Sequence, residues 1–229
     1  MKTIRGELML ALAVVINSMG VVLLLHSGSG ISAISSVPFS LNTIMPFLSL
    51  GTWTYIFQAL LICLLFAMRR KVVISYLLSF VVGFFFGIFT DLHTMWIYAL
   101  PLNIPLRILY FVVGYIVIAF GIAISNRCRM PLIPTDLFPR ETAEITHISY
   151  SKVKISFDVI CLLITVVLTL VFTGRIQGLG IGTVLAALTT GYAVDLIGKR
   201  IDRKWRFVSV FSKMEDKKRH EEEISASAS

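Results

Sequence analysis

Charge is what this sequence has least of. Asp and Glu number only 13 against 21 Lys and Arg in 229 residues. Together the charged side chains make up 15% of the chain, where a soluble globular protein carries roughly a quarter. Those present sit in short clusters between long apolar runs, and hydrophobic residues reach 56%. A water-soluble fold is therefore excluded, and the distribution is that of a chain whose solvent is lipid.

Cysteine is scarce too. Cys63, Cys128 and Cys161 form no C-x-x-C pair and no metal-ligand spacing, which excludes a disulfide framework and a zinc site. Two of them, Cys63 and Cys161, fall inside apolar runs, where a thiol packs as a small hydrophobe. The four histidines make no ligand group, and no Ser/His/Asp constellation is present. Gly178-Leu-Gly180-Ile-Gly182-Thr183 has glycines spaced like a phosphate loop, but no strand precedes it and no Lys follows. No cofactor, metal or enzymatic role is expected. The net charge of +8 and pI near 9.6 do not point to nucleic acid, because the basic residues flank apolar runs, where they meet anionic lipid head groups.

What is present is a series of apolar segments, with a mean hydropathy of +0.84 over the chain. A bilayer core needs roughly 20 helical residues. Six segments are near that length: Leu8–Leu25, Trp53–Met68, Val72–Thr90, Ile108–Ile124, Ile155–Thr173 and Leu179–Gly198. The first has the basic start of a signal peptide, but it is long and no small-x-small cleavage site follows it before His26, so it is read as a retained helix. With the N-terminus in the cytoplasm, all 21 basic residues except Arg107 and Arg175 fall on the cytoplasmic side, the asymmetry that orients such proteins. The expectation is an all-α cell-membrane protein of six transmembrane helices with both termini cytoplasmic. The domain covers 1–206, followed by a tail over 207–229. The stretch Lys199–Lys213 mixes basic residues with Trp205, Phe207 and Phe211 and is read as a helix end on the anionic inner leaflet, with disorder after it.

An internal repeat supports this plan. Gly20, Ser35 and Pro38 match Gly121, Asp136 and Pro139 at a constant offset, and Ser79, Gly83, Gly87 and Asp91 match Thr183, Ala187, Gly191 and Asp195 at a slightly larger one. Each half, about 1–105 and 106–198, then holds three spans, and an odd number inverts one half relative to the other. Inverted repeats with a site between them are a common transporter plan. The strips Ser79/Gly83/Gly87 and Thr183/Ala187/Gly191 recur every four residues on one helix face, which suits close helix packing. They are expected to bring the third and sixth spans together near the centre, with a homodimer interface as the lesser alternative.

Polar groups at membrane depth carry the functional expectations. A carboxylate at a helix centre costs about 2.5–3.5 kcal/mol on insertion scales. Asp158 lies one turn inside its span near Lys154, aligned with Gln58 in the first half, and reads equally as an ion pair or a site. Asp91 and Asp195 end their helices, where the helix dipole disfavours them. Lys199 is the expected partner of Asp195, and His93 or Arg107 that of Asp91. The segments His26–Pro38 and Asn126–Pro139 read as irregular polar loops, either folded back toward the core or lying on the surface. The candidate substrate-binding residues are Ser35, Asp91, Asp136, Asp158 and Asp195.

The polar loop ending at Pro38, the Pro134-Thr135-Asp136 turn and the Gly-rich start of a helix at Gly178–Thr183 resemble the YczE/YyaS/YitT-type bacterial membrane proteins over nearly the whole chain to Arg206. The resemblance implies a multi-pass membrane architecture and brings no catalytic residues. The leading expectation is a permease for a small molecule or ion with its site between two inverted halves. The alternative is a membrane scaffold that positions a partner through the tail and the cytoplasmic segment 126–154.

Overall fold

The computed structural model describes residues 2–208 apart from positions 72 and 129, and nearly all of their side chains, that of Ala187 being an exception. The tail from position 209 onward, including the stretch expected to be disordered, lies outside the described residues. In order, the elements are β1 (Lys2–Arg5), α1 (Gly6–Ser27), α2 (Ala33–Ile44), α3 (Leu50–Arg69), α4 (Ile74–Ile97), α5 (Ile104–Ser125), α6 (Pro134–Thr146), α7 (Tyr150–Thr173), α8 (Ile181–Lys204) and β2 (Trp205–Val208).

Five helices, α1, α3, α4, α5 and α7, are long and apolar enough to cross a membrane. Their 20 to 24 residues span about 30–36 Å at 1.5 Å per residue. This marks the chain as membrane-embedded, and each of the five contains or closely overlaps its expected span. The sixth expected span, Leu179–Gly198, corresponds to α8, which has 24 residues but is not among the five. Large apolar side chains such as Leu163, Val167 and Val171 on α7 stand exposed on the exterior.

Two further helices stand where the sequence reads as irregular loops. The first, α2, has 12 residues and α6 has 13, about 18–20 Å of rise and roughly half a bilayer core. Each follows a sharp break in the chain. At the end of α1, Gly28 takes a left-handed φ of 66° and its N–H returns to the Leu25 carbonyl, a conformation glycine adopts without strain. Ser32 then caps α2 by accepting from the Ser35 N–H, while α6 opens with Pro134 in its first turn, where the missing N–H costs nothing. Pro38 and Pro139 both lie inside these helices. Each is the sixth residue of its helix, so each removes the usual i→i−4 donor from the carbonyl four residues earlier, Ile34 and Thr135.

Packing follows from small residues and from burial. α1 lies along α5, with a Cβ added at Gly20 coming within 3.0 Å of the Gly114 carbonyl oxygen, so the backbones approach closely. α4 packs on α1 and α3, and α8 packs on α5. Each short helix packs against both α7 and α3: α2 mainly on α7, α6 slightly more on α3. Successive helices α3 and α4 pack together, whereas α7 and α8 share at most a marginal contact among the described residues. The same holds for α4 and α8, so the expected crossing of the third and sixth spans is not observed. The α4 strip is occupied instead by α3 and α6. Gly87 lies against the Gly51 backbone, and a Cβ at Gly83 would collide with the Gln58 amide and come within 3.2 Å of the Pro134 ring.

Beyond α8 the chain is not a continued helix on a leaflet. It turns into β2, which pairs in parallel with β1, Lys2 beside Trp205 and Arg5 beside Val208. The start of α1 and the end of α8 are thereby held on the same side of the molecule.

Candidate functional site

The N-terminal ends of the two short helices approach the middle of the bundle. There Ser35 of α2, Thr135 of α6 and Thr54 and Gln58 of α3 line a pocket of about 40 Å³, with Phe57 and Phe86 among its apolar walls. That is room for a water molecule. Gln58 is fully buried, at 0% exposure, and neither its amide nitrogen nor its amide oxygen has a partner among the described residues. An unpaired buried amide is costly, on the order of 1–3 kcal/mol, so a polar guest in the pocket would relieve it.

Ser35, Thr135, Val21, Ile34 and Phe86 also line a much larger cavity of about 880 Å³. It lies between α2, α6 and α7 on one side and α1, α5 and α8 on the other. Its walls combine aliphatic side chains and the aromatic rings of Phe86, Tyr115 and Tyr150 with polar groups such as Asn17, Ser32, Thr135 and Thr190. Asn126, Arg140 and Tyr150 line it and are exposed, which marks its mouth. On α7 the lining residues Tyr150, Lys154 and Asp158 are one turn apart on a single face, and on α8 Ala186, Thr190 and Val194 form the facing stripe. Because α7 and α8 do not close on each other, the cavity has a seam between them.

Four charged side chains line this cavity, Asp136, Lys154 and Asp158 within it and Arg140 at its mouth. Lys154 Nζ donates to both carboxylate oxygens of Asp158, at 2.6 and 2.8 Å, so that pair neutralises itself. Asp136, in the first turn of α6, lines the cavity with no hydrogen bond or ion pair to its carboxylate among the described residues. The first turn of a helix favours a carboxylate. Asp136 is thus the one cavity carboxylate left for a guest. The C-terminal half of α6 is anchored separately: Arg69 of α3 donates to Glu141 and Glu144 at 3.0 and 2.9 Å, and Tyr76 of α4 donates to Glu141.

Of the five residues picked from the sequence, Ser35, Asp136 and Asp158 line the cavity together. Asp91 does not. Its carboxylate accepts from the Gly51 N–H at 2.7 Å and from Ser49 Oγ at 2.5 Å, so the N-terminus of α3 compensates it rather than His93 or Arg107. Asp195 is exposed and paired with Lys199 at 2.7 Å, the expected partner. In the α8 strip Thr183 is buried and its Oγ1 accepts from the Ile31 N–H at 3.1 Å. Gly191 lines the cavity, and a Cβ there would meet nothing within 4 Å. The side chain of Ala187 is outside the described ones. Gln58, Thr135 and Tyr115 were not among the residues picked. Gln58 had the one usable signal, a carboxamide inside an apolar span, whereas a threonine or tyrosine near a span gives none.

With this geometry in view, the comparison with protein families is informative. Residues 4–199 match the family of unknown function DUF6198, and the chain belongs to it. No curated protein matches the chain, and no solved structure does either.

Proposed function

We propose that this member of the family is a cell-membrane permease for a small solute, with its site in the cavity around Ser35, Asp136 and Asp158. The cavity carries the reading. About 880 Å³ is within the range of small-molecule sites, and ionisable groups at membrane depth are retained chiefly where they serve a solute or proton path.

Two inverted halves underlie the site in this reading. The order long, short, long, long occurs twice, α1–α4 and α5–α8, with a proline at the same place in each short helix. The helices α2 and α6 enter from opposite faces and return, as the half-helices of many transporters do, and the N-terminus of α6 carries its own carboxylate, Asp136, in its first turn. Helix α8 completes a six-span domain. Parity favours this: β1 and β2 hold the two ends of the domain on one side, which requires an even number of crossings. The bias of Lys and Arg assigns that side to the cytoplasm. The likeness to YczE/YyaS/YitT-type proteins adds the multi-pass plan and nothing about the solute.

The test needs no known substrate. Thr135→Cys, in a background without the three native cysteines, is exposed to a membrane-impermeant thiol reagent in right-side-out and in inside-out vesicles. A permease site is labelled from both faces. Labelling from the cytoplasmic face alone contradicts transport and favours a scaffold with a static cleft.

A further inference from the structure

We propose that the solute is an organic cation with an apolar body, taken from the bilayer through the seam between α7 and α8 and held by Asp136. This assignment rests on the permease reading of the same cavity and names its substrate class.

Three features converge on it. The first is charge. Lys154 is committed to both oxygens of Asp158, and Arg140, also on α6, stands exposed at the mouth with no ion pair to Asp136. The uncommitted carboxylate is Asp136, and a cation is the guest that satisfies it. Pro38 and Pro139 deprive the Ile34 and Thr135 carbonyls of their usual helical donor, and both residues line the same cavity. The second feature is the walls. The rings of Phe86, Tyr115 and Tyr150 line the chamber beside its aliphatic side chains, and their faces favour a cation over an anion of the same shape. Such walls are a poor match for a small hydrated ion.

The third feature is the route. Consecutive helices α7 and α8 leave a seam, and both helices carry exposed apolar side chains, among them Val159 and Leu163 on α7 and Leu185 on α8. An amphiphile partitioned into the bilayer reaches Thr190 and Gly191 through that seam without crossing a polar barrier. Gly191, with open space where its Cβ would be, gives a place to obstruct the route without disturbing the fold.

Tetraphenylphosphonium and tetraphenylborate, nearly identical in shape and opposite in charge, are the probes. Each is measured by equilibrium dialysis against the full-length protein in nanodiscs, with protein-free nanodiscs subtracting partition into lipid. The expected result is saturable binding of the phosphonium and binding of the borate weaker by about tenfold or more. Asp136→Asn lowers phosphonium affinity by about tenfold or more, and Asp136→Glu restores it. Gly191→Trp abolishes saturable binding while its unfolding temperature stays at the wild-type value. Equal or tighter borate binding overturns the assignment, as does an Asp136→Asn protein that is folded and binds the phosphonium normally. Unchanged binding by Gly191→Trp overturns the lateral route. If the phosphonium fails while Thr135→Cys is still labelled from both faces, the cation falls and the permease reading stands.

Discussion

Two successive helix pairs, α3–α4 and α7–α8, occupy the same place in the order of the chain and behave oppositely. The first is zipped shut. Gly51 and Gly87 bring the two backbones together at one end, Tyr55 stacks against Phe80 and Phe84 in the middle, and Phe66 meets Tyr76 at the other end. The second pair has no such packing among the described residues. Gly191 has no neighbour where its Cβ would be, and the apolar residues of α7 stand outward. In lipid there is no hydrophobic drive to bring helices together, so close packing and polar contacts decide which pairs associate. The small residues do this work on α4, while on α8 Gly191 lines the cavity and Thr183 instead accepts from the Ile31 N–H. A repeated sequence pattern therefore does not guarantee a repeated contact. The departure coincides with the charged, cavity-lining face of α7.

The largest expected effect breaks this comparison directly. Gly87→Leu forces a side chain into the Gly51 backbone and is expected to cost about 1–3 kcal/mol or more, read as a lowered unfolding temperature in detergent. Gly191→Leu, on the open pair, is expected to change stability by less than about 0.5 kcal/mol. Similar losses at both positions would show that α7 and α8 are in fact packed.

A second contrast concerns the two aspartates at corresponding places. Asp91 binds the N-terminus of α3 through Gly51 and Ser49. Asp91→Ala should therefore destabilise by about 1–2 kcal/mol, the worth of hydrogen bonds to a charged group in a half-exposed site. Asp195 forms only an exposed pair with Lys199, and Asp195→Ala should fall within about 0.5 kcal/mol. Thermal unfolding of the two variants side by side reads the difference.

A smaller effect than those at Gly87 and Asp91 is expected at the end of α8. Arg127 donates to both oxygens of Asp202, at 2.6 and 2.8 Å, and this hydrogen-bonded guanidinium holds the Asp202 carboxyl below its ordinary value of 3.8. A carboxyl depressed in the folded state contributes stability above its unfolded value, and that contribution is lost as pH falls below it. Asp202→Asn should cost less than about 1 kcal/mol at neutral pH because the pair is largely exposed. The difference from wild type should begin to shrink near pH 3.8 and vanish as pH falls through the lower folded-state value.

The long helices were legible because length and apolarity alone define a span. The short ones were not. α2 and α6 carry internal prolines and several Ser or Thr residues, too few turns to show a period, and they are held by distant partners. Ser36 Oγ lies 2.7 Å from Thr165 Oγ1 of α7, and Pro134 rests in the gap left by Gly83. The β1–β2 pair was hidden for a similar reason: its four-residue strands are at opposite ends of the domain. At the site, Ser35, Asp136 and Asp158 could be picked because a polar group at membrane depth stands out. Asp91 was misread because its partner is a helix N-terminus 40 positions away in the chain, which no local pattern reveals. The openness of the α7–α8 seam could not be read at all, since both pairs present small residues on their second helix.

The central claim is that the cavity alternates between two faces. Spin labels on Asn126→Cys and Lys152→Cys, exposed positions flanking the mouth, report its width by pulsed electron resonance in nanodiscs. The account predicts two distance populations whose ratio changes when tetraphenylphosphonium is added. One narrow population, unchanged by that cation and by other solutes, would contradict it.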